Sequence, residues 1–581
     1  MAERLSGRRN TSRSYLARST TRRAATSTLA RRETSAKPQR AADTIFLNAQ
    51  IITLDSLRPQ VQALAIEHGH IAKIGTDREV LSVAGKNTKA WNLDGATVLP
   101  GFTDCHTHLV SYGIQLHGAN LRKATSISEI QSVLRKQAEK TSPGTWVLGY
   151  GWDQEKLNER RFPNRHDLDT VVSDRPACIT RVCEHICTAN SPALQLANIT
   201  RTTTPPIGGV IDRDETGEPT GALRENAMGL VLSHIPALDG AELRKAISLA
   251  MHKAVSAGLT SIHCIVDQPQ HVRALQAMSR AGELGARIYV LIPDEWLGPA
   301  GEIGVSTGFG DEMLRIQAIK VFTDGSLGAR TAALESPYSD SPDTRGVLIH
   351  SQDKLNSIIE SASRQGFQIA IHAIGDHAIA MALTAIENAR DVVPQCDKLR
   401  HRIEHVSVLN PDLIKRIKQA KVIASVQPHF IPSDSWVPAR VGRERAKLVY
   451  PLRSLLRSGA TVVGGSDCPV EPIDPLEGIS AAVTSATRDY GERIDTQAAI
   501  ELFTKNAAYA THEEKLKGTI HEGNVADLVV LERDPLKVPP EQIRQIKVLA
   551  TVVGGRIMYG SKRFQAMRTS NGRRQLARRH S

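Results

Sequence analysis

Residues 96–108 read ATVLPGFTDCHTH, an apolar run that closes on two histidines set two apart. Strand side chains at i and i+2 leave the same face. His106 and His108 can therefore reach one metal ion from the end of one strand. Seven more short apolar runs follow: LTSIHCIV (259–266), RIYVLIP (287–293), RIQAIKVFTDG (315–325), FQIAIHAIG (367–375), RHRIEHV (400–406), VIASVQPHF (422–430) and TVVGGSDCP (461–469). Between most of them lie stretches apolar at helical spacing, such as LNSIIESASRQG (355–366) and AIAMALTAIENAR (378–390). Eight alternating strands and helices predict an α/β chain built as a (β/α)8 barrel of the TIM type.

Chemistry in such a barrel gathers at the C-terminal ends of the strands. The first run ends in His106 and His108, the fourth carries Lys320, the fifth His372, the sixth His405, and the eighth ends in Asp467. Taken singly, each has an ordinary role. A strand histidine is usually hydrogen-bonded in place, a post-strand aspartate caps a helix, and a buried lysine pairs with a carboxylate. Six such residues at matching strand ends instead predict a metal centre of His106, His108, Lys320, His372, His405 and Asp467. Imidazole and carboxylate donors suit a divalent ion, zinc first, with manganese, iron and nickel as alternatives.

Around the barrel, the long gap at about 110–259 predicts an inserted α/β subdomain over the barrel mouth. Residues 44–99 and 517–560 have strand-turn-strand texture. They predict one small β-sandwich assembled from both ends of the chain, leaving 100–516 as the barrel. The formal net charge is +12. Residues 1–43 carry eleven Lys/Arg against Glu3, Glu33 and Asp43, and residues 561–581 carry seven against no acid, so the body between is slightly acidic. Both tails are expected to be disordered. The first resembles a transit peptide in composition, although Glu3 and Glu33 count against it, and no apolar segment follows its arginines as a secretory signal requires. A cytoplasmic protein is expected, with organellar targeting left open. No run is long enough to span a bilayer. No aromatic-basic groove accompanies the tails, so no specific nucleic-acid partner is expected. Seven cysteines in 581 residues make no disulfide framework. CEHIC (183–187) matches no zinc spacing and reads as buried free thiols.

The stretches GFTDCHTH, KVFTDGSLGARTAAL, IAIHAIGDHAIAMAL, RIEHVSVL and GGSDCPVEPIDPL resemble the amidohydrolase superfamily. They are most similar to its branch containing N-substituted formamide deformylases, as are GGVIDRDETGEPTGALRENA (208–227) and GTIHEGNVADLVVLERDP (518–535). The resemblance covers about 44–560. It implies His106 and His108 on a more buried metal, His372 and His405 on a second, and Lys320 carboxylated by CO2 as the bridge between them. It further implies a metal-activated water as nucleophile, with Asp467 as catalytic proton shuttle. Trp152 and Asp153 in GYGWDQEKL, with His185, Asp324 and Ser326, are expected to contact substrate. The expected substrate is a small-molecule amide, and a homodimer is allowed. Two departures stand out: Cys264 replaces a common aspartate, and RVCEHIC replaces a usual Asp-Gly-His run, which puts the contacts around His185 in question. Hydrolysis of cyclic amides, lactones or phosphoesters on the same centre is the alternative chemistry, and a non-catalytic regulator retaining the fold the alternative class.

Overall fold

The structure, a computed structural model, describes residues 41–484 and 490–569. All eight apolar runs form strands: β1 (Phe102–Thr107), β2 (Leu259–Ile265), β3 (Arg287–Pro293), β4 (Leu314–Phe322), β5 (Gln368–Ala373), β6 (Arg402–His405), β7 (Ile423–Val426) and β8 (Thr461–Gly464). They pair in sequence order as one parallel sheet. Beyond β8 a parallel bridge joins Thr107 to Cys468, and Asp467 N donates to His106 O at 2.7 Å, so the sheet is nearly closed as a TIM-like barrel. Gly465 makes this closure possible, because a Cβ there would stand 2.7 Å from the His106 nitrogen. Strands buried on both faces read as near-continuous apolar runs rather than alternating ones, which is the pattern of β3 and, up to His372, of β5.

The insertion is narrower than expected. Helix Gly240–Ser256 falls inside the expected 110–259 interval, yet it shares the barrel's apolar cluster with helix Leu109–Gln115 through Leu109, Val110, Leu243 and Ile247. The two helices approach so closely that a Cβ at Gly113 would lie 2.3 Å from the Ala246 carbonyl oxygen. Between them, a six-stranded mixed sheet runs from Ala119–Asn120 to Pro219–Glu225, with apolar clusters of its own.

The two ends of the chain contribute a five-stranded and a six-stranded sheet. Their facing residues, among them Phe46, Leu64, Trp91, Leu528, Leu549 and Val552, form one buried cluster. Strand Thr97–Pro100 pairs with Leu528–Leu531, joining sequence ends more than 400 residues apart. The tail limits need correction on both sides. Ala42–Leu47 is already a strand. Residues 561–569, expected in the disordered C-terminal tail, form helix Lys562–Ala566 and strand Arg568–Thr569, which pairs with Ala84–Asn92. Phe564 drives this: it is fully buried and stacks on Trp91 with ring centroids 4.3 Å apart. One apolar side chain entering a cavity outweighs the basic composition around it. The remainder of both expected tails, 1–40 and 570–581, lies outside the described residues. Among the described residues no helix is long and apolar enough to cross a membrane.

Candidate metal centre

All six strand-end residues line one cavity at the C-terminal mouth. His106 and His108 present their Nε2 atoms to Asp467 Oδ1 at 3.3 and 3.4 Å. The three ligand atoms lie within 4.8 Å of one another, a spacing one ion can bridge. The His405 ring is centred 4.7 Å from that of His106 and 4.5 Å from that of His372. Lys320 lines the same cavity, fully buried, with Nζ 4.7 Å from the centroid of the Phe322 ring.

Three of the four histidines, His106, His405 and His372, are oriented through their other nitrogen. His106 Nδ1 pairs with Glu404 Oε2, which leaves Nε2 to face the site. His405 Nδ1 bonds Gln427 Oε1 at 2.8 Å, again freeing Nε2. His372 is turned the other way: its Nε2 donates to the Gly325 carbonyl at 3.1 Å, so Nδ1 is the nitrogen left over. This is the arrangement metal-binding imidazoles need, since the outer bond fixes both tautomer and ring plane. The donor set fits a divalent ion on a second count. Among the described residues His106 Nε2, Asp467 Oδ1 and Lys320 Nζ are buried polar atoms without a hydrogen-bond partner. Three such atoms on residues lining one cavity are costly unless they ligate.

The electrostatics agree. Burial drives His372 and His405 well below the ordinary histidine range, so both are neutral and can donate a lone pair. Burial alone would raise Asp467, but His106, His108 and His405 reverse it and hold the carboxylate well below its usual range. Burial lowers Lys320 to about 8 despite Glu404 and Asp467. His405 and Asp467 also take left-handed backbone angles, φ 72° and 57°. Such angles cost on the order of 1–3 kcal/mol each and collect at functional sites; here they sit where two strands end and two ligands turn inward.

Sequence reading missed the supports. Glu404 is clamped by Arg402, whose guanidinium also donates to His263 Nδ1 at 2.7 Å and Ser425 Oγ at 3.0 Å. Asp104 accepts Ser466 N at 2.9 Å and His106 N at 3.1 Å, tying the ends of β1 and β8 together. Glu225 holds His185 Nδ1 at 2.7 Å. The only local signal was position: Glu404 and Asp104 each lie within two residues of a ligand.

The expected substrate contacts separate. His185 reaches the cavity, its ring centred 5.4 Å from that of His372. Asp153 and Ser326 line a smaller adjoining cavity. Trp152 is corrected: it is wholly buried in the core of the insertion, with Nε1 donating to Ile179 O at 3.2 Å. Its apolar neighbours account for it without a ligand. Asp324 is corrected likewise. It is fully buried, its oxygens accept the backbone N–H groups of Ala333, Ile374 and Gly375, and it lies 3.5 Å from His372. It shapes the loop after β5 instead of facing a ligand. All seven cysteines are free, and Cys183 is half-buried against the cavity.

Residues 89–559 match the model of the amidohydrolase family that carries the description "Amidohydrolase family". A putative amidohydrolase of Bacillus subtilis, YtcJ, is 33% identical over 86% of this chain and 96% of its own length. The N-substituted formamide deformylase of Arthrobacter pascens is 26% identical over 89% of this chain and 98% of its own. A solved structure of an uncharacterized metal-dependent hydrolase from Pyrococcus furiosus is 34% identical and superposes with a TM-score of 0.70, covering 85% of this chain and all of that one.

Proposed function

Because this chain belongs to the amidohydrolase family, whose metal-dependent hydrolase fold it shares, we propose that it hydrolyses the C–N bond of an N-substituted amide or formamide. The observation that carries this is Asp467: a buried carboxylate whose Oδ1 lies within 3.4 Å of two histidine nitrogens without forming a hydrogen bond. An amide nitrogen leaves only when protonated, so such a site needs a group that takes a proton from water and hands it on. Asp467 is that group.

The proposed ion is zinc, one or two per chain, held by His106, His108, His372, His405 and Asp467. When bound, such an ion acidifies a water and polarises a carbonyl. Lys320 at about 8 has an appreciable neutral fraction near pH 7. Its free amine pair can add to CO2, releasing one proton and leaving a carbamate that ligates as a carboxylate does. Asp467 then accepts the proton of the attacking water and delivers it to the amide nitrogen as the C–N bond breaks. His185, steadied by Glu225, lines the cavity and would contact the substrate there. The formamide reading is supported by the 26% identical deformylase, the name of which states that substrate class. We also read the two terminal sheets as one β-sandwich domain, supported by the apolar cluster they share.

The test is a substrate screen on metal-loaded protein with N-substituted formamides, longer amides, lactones and phosphoesters. Hydrolysis of the formamides and amides is expected. Turnover of lactones or phosphoesters alone would overturn the reading.

A further inference from the structure

The catalytic point divides two cavities of very unequal size. One is about 810 Å3 and the other about 80 Å3, and His185, His372, His405 and Asp467 border both. The large one carries Ile207 on its rim, 90% exposed, so it opens to solvent. The small one is walled by Leu327, Ile374, Phe430, Trp436 and Tyr450, with Leu327 only 2% exposed. Phe430 and Tyr450 pack ring to ring on that lining, centroids 6.0 Å apart.

Resting on the amide-hydrolase reading, we propose that the small cavity is the acyl subsite, and that it limits the substrate to a short, uncharged acyl group with the large N-substituent in the open cavity. A cavity of ~150 Å3 takes the six carbons of benzene, so about 80 Å3 holds on the order of three non-hydrogen atoms. Acids outnumber bases along that lining, and the buried guanidinium is already paired. Arg181 gives Nε to Gln154 at 2.7 Å and Nη2 to Asp153 at 2.8 Å. Tyr450 OH donates to Asp434 at 2.6 Å. An acyl carboxylate would therefore meet Asp153, Asp434, Glu471 and Asp467, which outnumber the cations Lys156 and Arg181 along that lining. Orientation follows from the order of departure. The amine leaves first while the acyl group is still at the centre, so the amine needs the open side. Asp467 borders both cavities and reaches a nitrogen between them.

The test is a kcat/KM series on metal-loaded protein with one amine, benzylamine, acylated by formyl, acetyl, hexanoyl, benzoyl and succinyl groups. Formyl and acetyl are expected within about tenfold of each other, and the other three at least 100-fold lower; a hydrophobic pocket discriminates 10–200-fold per methylene at most. Leu327→Ala should raise the hexanoyl-to-formyl ratio at least tenfold, and Trp436→Ala, at a half-buried position, does the same where the first variant folds poorly. A ratio is independent of how much enzyme is folded. Equal rates for formyl and hexanoyl amides in the unaltered protein would overturn the proposal while leaving amide hydrolysis intact. Faster turnover of N-methylhexanamide than of N-benzylformamide would show the reverse orientation and overturn it equally. Failure of every amide in the series, with lactones or phosphoesters turned over, would instead remove the amide-hydrolase reading on which it rests.

Discussion

Glu404 and His106 are hydrogen-bonded across 298 residues of sequence, carboxylate to Nδ1, in a pair that is wholly buried. Glu404 belongs to β6 and sits one residue before His405, so a single strand supplies both a proposed ligand and the support of another proposed ligand. Arg402, two residues earlier on the same face, pairs with the same carboxylate. Burial works to raise Glu404, and Arg402 with His106 holds it well below its usual range.

Glu404→Gln keeps the shape but loses the charge. Replacing an outer partner of a ligating histidine costs about 10–100-fold in metal affinity, and competition with a chromophoric chelator will read it. Arg402 is left buried beside a neutral amide, so the melting temperature falls too, in keeping with about 3–5 kcal/mol for breaking a buried ion pair. Unchanged metal affinity would show that His106 does not ligate through Nε2.

Asp467→Asn separates proton transfer from binding. The two side chains are nearly isosteric and the histidines remain, so part of the metal stays. General acid–base catalysis contributes about 10²–10⁴-fold, and kcat is expected to drop by at least that order. An aspartate that only capped the following segment would instead lower stability by about 1 kcal/mol and leave kcat alone. Metal content, kcat and melting temperature on this one variant decide between them.

Lys320→Ala tests the bridge. Loss of most activity and some metal is expected, with partial recovery when a short carboxylic acid is added to occupy the vacated place. Full metal content and rate in the variant would make Lys320 a structural residue.

A pH-dependent stability is built into the His185–Glu225 pair. Burial alone would lower His185 from 6.5, but Glu225 reverses it and raises the imidazolium to about 9. A raised folded-state value stabilises the fold fully below the unfolded value of 6.5 and is lost as pH climbs through about 9. In metal-free protein the loss between pH 6 and 9.5 is on the order of 2–3 kcal/mol. Denaturant midpoints at the two pH values will show it, and His185→Gln should flatten the difference. Parallel midpoints in the two proteins would dismiss the pairing.

Phe564 ties the C-terminal segment to the terminal sheets. Phe564→Ala removes a fully buried ring stacked on Trp91 and should cost about 3–5 kcal/mol, with kcat per folded molecule unchanged. Truncation after Gly560 should destabilise as much, whereas truncation after Thr569 should not. Equal melting temperatures for the two truncations would place residues 561–569 outside the fold.

The barrel and the cluster of strand-end side chains at its mouth were legible in the sequence because both are local. A strand buried on two faces must be apolar along its length, and the chemistry at its end lies within a few residues, as in IAIHAIG and GGSDCP. Hence all eight strands, and the convergence of His106, His108, His372, His405 and Asp467, could be read from spacing alone. Tertiary structure decided what depends on partners distant in sequence. Nothing near Glu404 announces His106, nothing near Glu225 announces His185, and Gln427 fixes the His405 ring from the next strand. Trp152 had the same aromatic character whether it lined a cavity or filled a core, and only its neighbours settled which. The basic C-terminal segment looked unable to fold by composition, yet Phe564 alone had a cavity waiting between two sheets made of both chain ends. Periodicity records which face of an element is buried, but not against what, and a charge or a ring acquires its role from what it is buried against.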